Sequence, residues 1–184
     1  MNGLKITERM INWFEFPNEI TKLALAPYME CPPGEWDYIM QHHWRGRSVH
    51  VDWRMEVNDH LNGWTVLDNP KGTPKVETME EAERADASVK WQFNAKNVNI
   101  GRRAETKARQ PKEWIKVKGV IKPGQVGATK GEAGVITWYD KGKVIFGVQK
   151  PYFHEYFVKS SMGKAFPSDT WTRIVIRQVG VPAL

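Results

Sequence analysis

The feature that most limits how this chain can fold is a strict two-residue alternation between Val49 and Val57. Val49, Val51, Trp53, Met55 and Val57 alternate with His50, Asp52, Arg54 and Glu56. Successive side chains on a β-strand point to opposite faces, so the segment reads as a strand with one apolar face and one face of ionisable groups. A solvent-facing strand more often carries a mixture of Thr, Ser, Lys and Glu. Imidazole, carboxylate and guanidinium in succession instead supply metal ligands and a bidentate oxyanion clamp on one surface.

Residues 36–44 read as a second strand, joined to the first by a turn at Arg45, Gly46 and Arg47. Gln41 and His43 share a face of it, and antiparallel pairing would set His43 beside His50 and Asp52. Two imidazoles and a carboxylate suit Mn, Fe or Zn and leave coordination positions for water or a phosphate oxygen. Cys31 is the only cysteine, which rules out an internal disulfide and leaves His and carboxylates as the metal donors. His42 falls on the opposite face and is expected to be a packing or surface histidine. His60, in a turn over 58–62, is expected to be solvated. Most of the nine tryptophans, Trp53 and Trp64 among them, are expected in the core, with one or two left to stack on bases.

The rest of the chain is punctuated into short elements. Residues 1–27 are expected to form a helical packing segment: one amphipathic helix on Ile6, Met10, Ile11 and Phe14 ending at Pro17, then a second on Ile20, Leu23 and Leu25 stopped by Pro27. Asn62-Gly63 predicts a hairpin turn, and Thr78 with Glu81 predicts a capping box for a helix through Ala87. Further strands are expected over 89–93, 114–121, 134–139, 144–148, 152–158 and 171–179. Many short strands with brief helices point to a β-rich single domain over residues 1–184, an antiparallel sandwich or barrel with short flanking helices.

At 41% apolar and 26% charged residues, the composition is that of a folded rather than a disordered chain. No apolar run approaches the roughly 20 residues that cross a bilayer, and the N-terminus shows no apolar signal-peptide core, so the expected location is the cytoplasm. The net charge of +6 is uneven. From Lys90 to Lys150 fourteen Lys or Arg face four acids (Glu105, Glu113, Glu132 and Asp140), while the remainder is net acidic. Such a confined positive field suits a polyanion, and Arg102, Arg103, Lys107, Arg109 and Lys112 are the candidate nucleic-acid contacts. Taken alone, a charge run is more commonly a solvated face.

These residues resemble the 3′-phosphoesterase domain family of bacterial DNA ligase D and its stand-alone relatives. The matching blocks are Gln41-His42-His43, His50-Val51-Asp52-Trp53-Arg54-Met55-Glu56, Leu61-Asn62-Gly63-Trp64-Thr65-Val66, the 119–127 turn and the 134–142 strand, all in the family's order. The resemblance implies a β-barrel and a manganese-dependent activity that removes 3′-phosphates and 3′-terminal ribonucleotides in DNA repair. It implies His43, His50 and Asp52 as metal ligands, Arg54 as phosphate clamp, and Gln41 and Glu56 as supporting polar residues. Glu30 is similar to a family Glu that precedes a proline. Partners would be DNA or DNA/RNA 3′-ends, with a repair ligase or polymerase, or a viral assembly.

Three departures stand out. The His43 to His50 interval is one residue longer than in the family, predicting a bulge or wider turn. Residues 129–133 lengthen the turn before Gly134. Gln110 stands where the family has a phosphate-contacting His; glutamine donates a hydrogen bond but cannot act as a general acid. That feature favours a rival reading, a catalytically weak relative serving as a nucleic-acid-binding or assembly module. A third reading takes His50 and Asp52 with His154 as the facial triad of a non-haem iron oxygenase, with Lys164 pairing a co-substrate carboxylate.

Overall fold

The computed structural model describes residues 6–12, 31–66, 73–88, 104–107, 109–150 and 153–177. It is a β-rich, mainly antiparallel sheet. The strands are β1 (Ile6–Asn12), β2 (Glu35–Arg45), β3 (Ser48–Val57), β4 (His60–Val66), β5 (Ala104–Thr106), β6 (Gln110–Pro111), β7 (Gly119–Ile121), β8 (Gly134–Lys150), β9 (Phe153–Ser160) and β10 (Trp171–Arg177). One α-helix, α1 (Met79–Ser88), and a 3-10 turn (Lys112–Lys116) complete the described elements. The ladder runs β1-β10-β9-β8-β2-β3-β4-β5, with β6 added on β4 and β7 on β8. Its two ends, β1 and β5, are not joined by any pairing among the described residues. No described helix is long and apolar enough to cross a membrane.

The sheet curls over its own inner face to make the core. Trp53 on β3 meets Tyr156 on β9 edge to face at 5.0 Å, and Trp64 Nε1 on β4 donates to the Tyr156 hydroxyl at 3.0 Å. These strands are not ladder neighbours, so only curvature brings them together. The apolar row of β3 faces this core, as its alternation requires, and Trp53 and Trp64 are fully buried. α1 closes one end of the inner face with Ala82 and Ala85. The capping box holds it: Glu81 N–H donates to Thr78 Oγ1 and Thr78 N–H donates to Glu81 Oε2. Asp86 of the helix then accepts from Trp44 Nε1 at 3.0 Å and from Thr137 Oγ1, and lies 2.8 Å from His42 Nδ1. His42 is therefore a packing histidine.

Several expectations need correction. Ile6–Asn12 is a strand, parallel to β10, rather than the start of an amphipathic helix; the edge of β10 supplies backbone partners that outweigh local helical spacing. The 20–25 helix, Glu30, the strand at 89–93, Arg102 and Arg103 lie outside the described residues. The Asn62-Gly63 pair sits inside β4, and the turn is made at Asn58-Asp59, where Asn58 takes φ 51°. Gly63 is there for space, since a Cβ would stand 2.3 Å from the Trp53 carbonyl oxygen. His60 consequently begins β4 and is buried, not solvated. The two strands expected over 134–148 are one long strand, β8, with an extra residue opposite Met40 and Gln41. The 114–121 segment divides into the 3-10 turn and β7.

Candidate metal centre

The β2–β3 hairpin builds the site. Its register sets His43 opposite His50, Gln41 opposite Asp52 and Ile39 opposite Arg54. The longer interval between the histidines requires no bulge: Gly46, at φ 57°, makes a tight turn that keeps this register. The ionisable face of β3 is buried like the apolar one, with His43, His50, Asp52 and Arg54 all less than a tenth exposed. Burying four such groups is costly unless they are paired. Here they pair with one another.

Asp52 is the hub. Its Oδ1 lies 3.3 Å from His50 Nε2 and accepts from Lys107 Nζ at 2.8 Å and Thr65 Oγ1 at 3.2 Å; its Oδ2 accepts from Arg54 at 2.9 Å and lies 3.5 Å from His43 Nδ1. Burial alone would raise the Asp52 carboxyl. The contacts with His43 and His50 and the charges of Arg54 and Lys107 outweigh it and hold the group well below the usual carboxylate range. The cations themselves move down, because for His50, Arg54 and Lys107 burial exceeds the support of Asp52. A His50 lowered in this way stays neutral near pH 7, the form that ligates a metal.

The donor set fits a metal ion. His43, His50 and Asp52 each offer a ligand atom, and these atoms lie within 4.8 Å of one another. His43 Nε2 sits 2.5 Å from the Gly127 carbonyl oxygen, an acceptor, so that nitrogen carries the proton. In the neutral ring Nδ1 then presents a lone pair to the Asp52 carboxylate 3.5 Å away. Two acceptors facing each other call for a cation between them, either a proton or a metal ion.

Arg54 is locked beside this group. Its Nε donates to Gln110 Oε1 at 2.8 Å, its NH1 to Gln41 Oε1 and its NH2 to Asp52, while its guanidinium carbon lies 5.2 Å from the centroid of Trp114. The Gln41 amide is oriented by its other end, which donates to the carbonyls of Trp114 and Val117 at 3.0 and 2.8 Å. Three of the five guanidinium N–H groups are thus spoken for, and two have no partner among the described residues.

The structure brings His43, His50, Asp52, Arg54, Gln41 and Gln110 together. Lys107, expected on a nucleic-acid surface, is instead inside the cluster against Asp52. Glu56 stands at the rim and pairs with Lys112; Arg109 is exposed. His154 is buried on the inner face, edge-on to Trp64 at 5.5 Å, so it cannot complete a triad with His50 and Asp52 on the outer face. Trp114, which stands with Gln110 and Pro111 where the resembling family has its Tyr, lies against Arg54. Thr65 and the Gly127 carbonyl were not expected at the site: Thr65 is legible as the outward position two residues after Gly63 on the next strand, but nothing local marks the carbonyl. No protein-family model matches this chain, and no curated protein matches it.

Proposed function

We propose that this protein is a metal-dependent 3′-phosphoesterase acting on nucleic-acid ends, removing a 3′-phosphate or 3′-terminal ribonucleotide, with manganese as the metal. The observation that carries this reading is the convergence of His43, His50 and Asp52 with a guanidinium that has two N–H groups to spare. The order of these residues in the resembling family supports it, as does the tally of donors suited to Mn. The closed barrel of that family belongs to the same proposal.

His43, His50 and Asp52 would hold the metal, which when bound supplies Lewis acidity toward a phosphoryl oxygen. Arg54 binds the phosphate and neutralises charge that develops on it, held in place by Gln41, Gln110 and Asp52. Gln110 contributes a hydrogen bond and no proton. Glu56 and Lys112 frame the rim, and Arg102, Arg103, Arg109 and Lys112 hold the nucleic-acid backbone. Lys107 keeps the Asp52 carboxylate ionised and adds positive field at the phosphate. DNA repair is the setting this chemistry suits.

The test is hydrolysis of end-labelled 3′-phosphate and 3′-ribonucleotide primers with and without manganese. Metal-dependent turnover is expected. Inert protein with metal demonstrably bound would replace this reading by the second, a nucleic-acid-binding or assembly module, which Gln110 favours because no titratable group stands at that position.

A further inference from the structure

The outer face continues past Arg54. The ladder sets Arg54, Ile39 and Lys141 in one row across β3, β2 and β8, and Asp52, Gln41 and Trp138 in the next. The extra residue in β8, Tyr139, is what puts both Trp138 and Lys141 on this face. At this end lies a cavity of about 320 Å³, bounded by Ile39, Ile115, Lys116, Trp138, Lys141 and Ser161 among others. That volume lies at the small end of the range for ligand sites.

Two contacts tie the cavity to the metal centre. The Val117 carbonyl accepts from Gln41 Nε2 at 2.8 Å and from Trp138 Nε1 at 3.0 Å, so the cavity wall and the partner of Arg54 hang on one oxygen. Ile115 follows Trp114, whose ring lies against Arg54. The cavity is also positive in net character. Its one acid, Asp37, is matched by Lys143 at 2.6 Å, while among the described residues neither Lys116 nor Lys141 has a carboxylate partner. The Lys141 ammonium stands 4.9 Å from the centroid of the Trp138 ring. An aromatic ring for the base beside cations for the backbone is the combination that holds single-stranded nucleic acid.

We propose that this cavity is a nucleotide subsite, in which Trp138 stacks on the base of a nucleotide upstream of the 3′-end and Lys116 and Lys141 hold its phosphate. The proposal rests on the reading of Arg54 as the clamp for a 3′-terminal phosphate. From Arg54 to Lys141 is two strand spacings, about 10 Å, which an extended strand covers within one or two nucleotides.

The test is binding in excess chelator, so that no turnover occurs, of adenosine 3′-monophosphate and of a 3′-phosphorylated DNA hexamer. Wild type should bind the hexamer more tightly. Trp138→Ala should lower hexamer affinity by about tenfold or more and leave the mononucleotide unchanged. Trp138→Phe, which keeps a ring but loses the bond to Val117, should retain most of the hexamer affinity. The Lys116→Ala, Lys141→Ala double variant, changed only at exposed positions, should reduce the salt slope for the hexamer by about 1.4. Equal affinity of wild type for both probes, or Trp138→Phe behaving as Trp138→Ala, overturns the subsite while the 3′-phosphate reading stands. Failure of wild type to bind either probe overturns both.

Discussion

Arg54 Nε donates to Gln110 Oε1 across 2.8 Å, so a strand of two residues, β6, fixes the plane of the guanidinium on β3. With Oε1 committed to Arg54, the Gln110 amide nitrogen is the group left to meet a phosphate oxygen. If electrostatic stabilisation carries the reaction, turnover survives without a titratable group at this position. Arg54→Ala should then lower kcat by on the order of 100-fold, the loss seen when one oxyanion donor is removed. Gln110→Ala should cost only roughly fivefold, what about 1 kcal/mol of one neutral hydrogen bond is worth. Steady-state kinetics on a 3′-phosphorylated oligonucleotide checks both, and a larger loss in Gln110→Ala than in Arg54→Ala would reverse the assignment.

Lys107 and a divalent ion compete for the same carboxylate. Lys107 Nζ stands 2.8 Å from Asp52 Oδ1, and a metal bound by His43, His50 and Asp52 would sit within a few ångströms of that ammonium. Calorimetric titration with manganese should show binding lost in His50→Ala and tightened about fivefold to tenfold in Lys107→Met, because a like charge has been removed from a buried site. Unchanged affinity in His50→Ala would remove the metal centre.

The core of this site was legible because strand alternation is a local property. His50, Asp52 and Arg54 share a face by spacing alone, and one hairpin adds His43 and Gln41. Lys107 was visible only as a surface charge, since its contact with Asp52 depends on β5 pairing with β4 and delivering the chain beside Thr65. The curl of the sheet was not legible either: it follows from Trp53, Trp64 and Tyr156 meeting across strands far apart in the ladder. Residues 6–12 were misread because a parallel strand is stabilised by a partner more than 160 residues away, which helical spacing cannot reveal.

Asp86 anchors α1 to the inner face through Trp44, Thr137 and His42, on the opposite side of the sheet from Asp52. Removing the carboxylate leaves buried donors without their acceptor, at a cost of on the order of 2–4 kcal/mol. Urea denaturation of Asp86→Ala should show that loss, with manganese affinity unchanged at concentrations where the variant is folded. A parallel loss of metal affinity in folded Asp86→Ala would show that the two faces are coupled rather than independent.

His154 gives the protein an acid-sensitive core. It is 3% exposed, and burial pushes its imidazole from the ordinary value of 6.5 down to about 4. Among the described residues its Nε2 has no hydrogen-bond partner, and Nδ1 meets only the Tyr156 hydroxyl, at 3.4 Å. The folded protein therefore keeps His154 neutral where the unfolded chain protonates it. The unfolded state binds the extra proton, so stability is full above pH 6.5, falls as pH drops from 6.5 to about 4, and levels off below. At 1.36 kcal/mol per pH unit the loss approaches roughly 3 kcal/mol for this residue. His154→Phe keeps a ring against Trp64, leaves the Tyr156 hydroxyl its bond from Trp64 and removes the titration. Denaturation at pH 7.5 and pH 4.5 should show the variant close to wild type at the higher pH and more stable than wild type at the lower. Parallel pH profiles for the two proteins would mean that His154 is already protonated in the folded state or that water reaches it.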